Sequence, residues 1–122
     1  MISIETGFEH DTLAVRASGV ISPEDYTEVL VPALEARLRD HASVRLWYQI
    51  DDKCRGMRLS SLWQDFLLGV FHLDDFRCVA IVTDRPLFRR MGEIMAIFLP
   101  CPVKVFAQDQ QQHAREWLAQ KG

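Results

Sequence analysis

The sequence predicts an α/β fold: a single domain over residues 1–122 with one mixed β-sheet and helices mainly on one face. Three observations carry this prediction. Short apolar runs rich in β-branched residues alternate with longer segments of helical period, the pattern of crossover-connected strands. The stretch Phe76 to Phe106 reads as a complete strand–helix–strand unit, whose strands should be parallel neighbours or near-neighbours joined right-handedly. The N-terminal residues instead alternate with period two around a polar turn, which adds an antiparallel pair.

Taking the chain in order, Ile2 and Ile4 alternate with Ser3 and Glu5, and Gly7 with Glu9-His10-Asp11 marks a turn. Leu13, Val15 and Ala17 then alternate with Ala14, Arg16 and Ser18, which completes a hairpin. Gly19 permits the exit from its second strand. Ser22-Pro23-Glu24-Asp25 starts a helix with a hydroxyl cap, a proline at the first position and acids in the first turn. Its apolar stripe is Tyr26, Val29, Leu30, Ala33, Leu34 and Leu38. Pro32 lies inside it and should kink it near Glu28, at about 3 kcal/mol unless packing absorbs the loss. Arg37, Arg39 and His41 suit the last turn, where the helix dipole favours cations.

Val44 to Ile50 is the third strand, with partial alternation, and Asp52 to Arg58 reads as a loop. A helix from about Ser60 to Leu73 follows. Leu62, Trp63, Phe66, Leu67, Val70, Phe71 and Leu73 make it apolar over an arc wide enough for two partners. The run Cys78 to Val82 is a strand covered on both faces. Asp84 and Pro86 then start a helix that runs to about Leu99, where Pro100 and Pro102 stop it. Val103, Val105 and Phe106 form the last strand, and Asp109 with Gln112 starts the last helix, whose buried face is Ala114, Trp117 and Leu118. The order is β-β-α-β-α-β-α-β-α.

The bulk properties exclude several function classes. The net charge is −3 and no basic block exceeds Arg89-Arg90, so non-specific nucleic-acid binding is not expected. Cys54, Cys78 and Cys101 are odd in number and widely spaced, against a disulfide framework or a zinc site and in keeping with a reducing cytosol. The N-terminus has neither a basic stretch nor an apolar core of a signal peptide, and no run approaches a membrane span of about 20 residues. A cytoplasmic protein is expected.

In this order of elements, three stretches carry a resemblance: I-S-P-E-D-Y at 21–26, L-W-Y-Q-I-D-D at 46–52 and H-L-D-D-F-R-C-V-A-I-V-T-D at 72–84. With them the chain resembles, over nearly its whole length, the SpoIIAA-like group of STAS domains, relatives of the anti-sigma-factor antagonists. The resemblance implies a small cytoplasmic domain without an established enzyme activity. The wider superfamily implies protein–protein regulation, sometimes with nucleotide or lipid ligands. The antagonist domains place a phosphorylatable serine at a helix N-terminus that Ser60 and Ser61 match in location. Here the context is M-R-L-S-S-L-W rather than the usual acid-serine-small-glycine, and an ordinary helix cap explains one of the two serines.

Candidate chemistry is sparse. Ligands of open α/β sheets sit at the carboxyl edge of the strands, where Asp51, Asp52 and Asp84 fall. Carboxylates there suit a divalent cation, but adjacent aspartates diverge along a strand and Asp84 has a capping role, so no metal and no cofactor is assigned. Arg85, Arg89 and Arg90 stand at the positive end of a helix dipole, an arrangement suited to an anion; Arg89 has Glu93 as the alternative partner four residues on. His10, His41, His72 and His113 lie on four separate elements with no metal-ligand spacing, and there is no nucleophile elbow, P-loop or dinucleotide fingerprint. No catalytic residue is assigned, and an enzyme is not expected.

What survives is apolar surface. Between Arg85 and Leu99, the residues Leu87, Phe88, Met91, Ile94, Met95, Phe98 and Leu99 fill an arc of roughly 140°, with Ile97 opposite. Together with Trp63, Leu67 and Phe71 this exceeds what one sheet face needs. The expected function is a non-enzymatic regulatory or protein-interaction module acting as a homodimer. The alternative is a small apolar or lipid-like ligand held between helices 60–73 and 85–99.

Overall fold

In the computed structural model, residues 2–8, 11–21, 23–51, 56–57, 76–98 and 101–120 are described. β1 (Ile2–Ile4) pairs antiparallel with β2 (Thr12–Ala17), Ile4 opposite Val15. β2 lies parallel to β4 (Val44–Ile50), Leu13 opposite Leu46, and β4 lies parallel to β6 (Phe76–Val82), Leu46 opposite Val79. β7 (Val103–Phe106) closes the order β1-β2-β4-β6-β7 as the parallel neighbour of β6. This is the mixed sheet that the sequence predicts, with its hairpin at one edge.

A second, two-stranded sheet pairs β3 (Val20–Ile21) with β5 (Gly56–Met57). Two-residue strands are too short to leave a periodic signal, so the sequence reads Gly56 as loop. Gly7 (φ 87°) and Gly19 (φ 65°) take left-handed backbone on either side of β2, where a Cβ would be strained.

The first helical segment is interrupted. The short helix α1 (Pro23–Asp25) passes through a π-helical turn, Tyr26–Leu30, into α2 (Val31–Asp40). Pro32 is the physical reason: it brings no N–H, and its ring clashes with the carbonyl four residues back, that of Glu28. The widened turn takes up the mismatch in place of a sharp kink. His41 N–H donates to the Arg37 carbonyl at 3.1 Å and ends α2.

α3 (Pro86–Phe98) connects β6 to β7, and a 3₁₀ turn at Gln108–Gln110 leads into α4 (Gln111–Gln120). The chain turns into this last helix earlier than Asp109. Ala107 N–H donates to Gln110 Oε1 at 2.9 Å and Gln110 N–H to the Ala107 carbonyl at 3.0 Å, so Gln110 reaches back as the sequence expects of Gln112, and a backbone carbonyl takes the N–H expected to go to Asp109.

Side chains from both faces of the sheet are buried. On one face Leu13, Val15, Leu46, Tyr48, Val79 and Ile81 pack with Leu30 and Leu34 of the first helical segment and Phe88 of α3. On the other, Ala14, Trp47, Cys78, Ala80, Val82 and Phe106 pack with Ala114 and Leu118 of α4. β6 is thus covered on both faces, as its unbroken apolar run requires. Gly92 sets how closely α3 lies on the sheet. A Cβ at this position would sit 2.6 Å from Val105 Cγ2 and 3.0 Å from Ile81 Cδ1.

Candidate interaction surface

The carboxyl edge of the parallel strands is a polar network in which the described acids, Asp51 and Asp84, are already engaged. Arg16 Nη2 donates to Asp51 Oδ2 at 2.7 Å and its Nε to the same oxygen at 3.1 Å. Asp84 Oδ1 accepts the Gln108 N–H at 2.9 Å, so this acid caps the turn after β7, whereas the sequence assigns it to the helix after β6. At that helix the buried Thr83 takes over, its Oγ1 accepting the Arg85 N–H at 3.2 Å. Gln108 ties the strand ends together: its Nε2 donates to the Ile50 carbonyl at 2.7 Å and its Oε1 accepts from Gln49 Nε2 at 3.2 Å. Among the described residues no group of three or more His, Cys, Asp or Glu is arranged to hold a metal ion. Asp52, Ser60, Ser61, His72 and the stretch 60–73 with Trp63, Leu67 and Phe71, for which the sequence predicts a helix, lie outside the described residues.

The opposite edge holds a cluster that spacing along the sequence does not reveal. Asp11, in the hairpin turn, lies 2.9 Å from Arg45 Nε and 3.7 Å from Arg77 Nη1. Arg45 also donates to the carbonyls of Leu118 and Ala119 at the end of α4, where the dipole is negative. Burial alone would raise the Asp11 pKa, but the Arg45 hydrogen bond and the charges of Arg45 and Arg77 outweigh it and hold the carboxyl below its ordinary value. Arg115 lies 4.0 Å from the Phe8 ring centre, and Phe8 packs on Trp47 with centroids 5.0 Å apart. Phe8, Asp11, Arg45, Arg115, Leu118 and Ala119 border a cavity of about 560 Å³ between the hairpin turn and α4. Asp11 and Arg45 are paired with each other and Arg45 also holds the end of α4, so the cluster reads as a clamp on the last helix. The signals in the sequence are Arg45 and Arg77, each the second residue of a largely apolar strand.

The remaining candidate is α3. Its sheet-facing side is Phe88 and Gly92. Phe88 is therefore no part of an open apolar surface: it is 3% exposed and belongs to the core, because four-residue spacing with Gly92 points it at the sheet. Arg85 lies over the Phe88 ring at 5.7 Å, and Arg89 Nη1 donates to the Thr83 carbonyl at 3.1 Å in place of a Glu93 pair. The backbone of Met91, Met95 and Phe98 is helical. Among the described side chains, the large apolar ones that α3 leaves open are Leu87 (66% exposed), Ile94 (48%) and Ile97 (77%). Burial also pushes up the pKa of the Cys78 and Cys101 thiols, away from the nucleophilic thiolate.

Among known proteins, the model of the family described as SpoIIAA-like matches residues 12–119. Among solved structures, the chain is similar to an uncharacterised protein of the DUF3478 family, with a SpoIIAA-like fold, from Shewanella loihica PV-4. The two are 26% identical with a TM-score of 0.71, over 96% of this chain and 93% of that one. A comparison with curated proteins finds no match. A fold of this kind supports, in general terms, a regulatory or interaction module. Among the described residues no helix is long and apolar enough to cross a membrane.

Proposed function

We propose that this chain, which belongs to the SpoIIAA-like family, is a non-enzymatic regulatory or protein-interaction module of the cytoplasm that acts as a homodimer. The observation that carries the reading is the row Leu87, Ile94 and Ile97 on α3. Three large apolar side chains along one helix, turned away from the sheet, form the kind of contiguous patch that marks an interaction site. The polar clusters at both sheet edges support the same reading, since Asp51, Asp84, Asp11 and Arg45 are each held by another part of the chain.

Native mass spectrometry and light scattering of freshly purified protein test it. Dimers at micromolar concentration are expected, and Leu87→Asn with Ile97→Asn should give folded monomers. A wild type that stays monomeric would remove the homodimer from the reading. An apolar molecule retained in the mass spectrum would favour ligand binding instead.

A further inference from the structure

From the arrangement of charge along α3 we infer how the second copy docks. Resting on the self-association reading above, the geometry points to an antiparallel pairing of α3 with α3 of a second copy, about a two-fold axis at the level of Gly92. Positions 87, 90, 94 and 97 fall within roughly 80° of helical arc at 100° per residue. That arc is nearly opposite Phe88 and Gly92, which lie on the sheet. The exposed seam is therefore Leu87, Arg90, Ile94 and Ile97, with the exposed Glu93 along one flank.

Two-fold symmetry places the same patch on both sides of the contact. With the axis at residue 92, Leu87 meets Ile97 of the other copy and Arg90 meets Ile94. Arg90 and Glu93 lie on the same side of the seam. An antiparallel pair thus brings Arg90 of one copy alongside Glu93 of the other, offset by about 1.5 Å along the axis. The four charges alternate in sign.

The dipoles agree with this direction. Arg85, Arg89 and Arg90 crowd the positive end of their own helix, while the half from Ile94 to Phe98 carries no charge. Antiparallel docking lays each cationic end beside the negative end of the other helix; parallel docking would stack the arginines on each other. A seam that carries the charged Arg90 among its apolar residues is unlike the apolar centre of a permanent interface, so the pairing is concentration-dependent.

Charge reversal at the two exposed positions tests this. Arg90→Glu and Glu93→Arg should each weaken self-association in sedimentation equilibrium by about tenfold or more in Kd. The double variant R90E/E93R should return to near the wild-type value. A mixture of the two single variants should form heterodimers, which no local effect within one helix explains. Circular dichroism checks that each variant is folded. A wild-type dimer whose Kd is unmoved by either reversal would overturn the antiparallel pairing and leave self-association intact. A monomeric wild type would remove both.

Discussion

Arg45 Nε stands 2.9 Å from Asp11 Oδ2, and the same guanidinium donates to the last carbonyls of α4. One side chain thus joins the hairpin turn, the central strand and the C-terminal helix. Arg45→Ala should cost about 2 kcal/mol, because it leaves a half-buried carboxylate and helix-end carbonyls without their donor. Arg45→Lys should recover only part of this, since an ammonium has no planar fork to serve both sides at once. Denaturant titration of the two variants measures the difference.

The same pair makes an acid-sensitivity prediction. Asp11 is ionised more readily in the folded than in the unfolded chain, so its contribution is present above the ordinary carboxyl pKa of 3.8. It is lost as pH falls through the lower folded value. Urea midpoints measured from pH 6 downwards should fall less steeply for Asp11→Asn than for wild type. Equal slopes would mean the carboxylate gains nothing from the arginines.

Gly92→Ala should destabilise the domain although alanine is the better helix former by about 1 kcal/mol. The added methyl meets a β-branched valine fixed on β7 at 2.6 Å, and overpacking of this kind costs about 1–3 kcal/mol. Ala96→Gly, at an exposed position of the same helix away from the seam, should cost about 1 kcal/mol from propensity alone. Thermal melts of the pair separate backbone propensity from packing.

Gln108→Ala should lower stability by about 1–2 kcal/mol, because the Ile50 carbonyl and the Gln49 amide lose their partner where water replaces it poorly. Gln108→Glu should do no better, as a carboxylate cannot donate to Ile50. Hydrogen exchange at the ends of β4 and β7 would locate the loosening.

How far the sequence is legible depends on the range of the interaction. β4 spans Val44–Ile50 as its alternation indicates, and β6 is buried on both sides as its apolar run indicates, since both signals are local. Pro32 announces a disturbance in the first helix, but whether it bends or widens the turn depends on packing, which chose a π-turn. Helical spacing places Leu87 and Phe88 on one broad stripe, and only the sheet decides that one is buried and the other open. The Asp11–Arg45–Arg77 cluster leaves only two isolated arginines as its signal, because its members come from three strand ends that meet only in the fold. The sequence offers no period for that.

The strand order β1-β2-β4-β6-β7 also governs how the chain gets there. Among the described strands of this sheet, only β1 and β2 are joined as a hairpin; each parallel neighbour waits on a crossover that must first be closed against its entropy. β4, paired on both sides, is the strand around which those closures are made. The hairpin is free to form in microseconds, while the parallel core is the slow event. Until β4 is in place, Trp47 has neither Phe8 nor α4 to cover it, so its fluorescence reports the moment at which the slow step is complete.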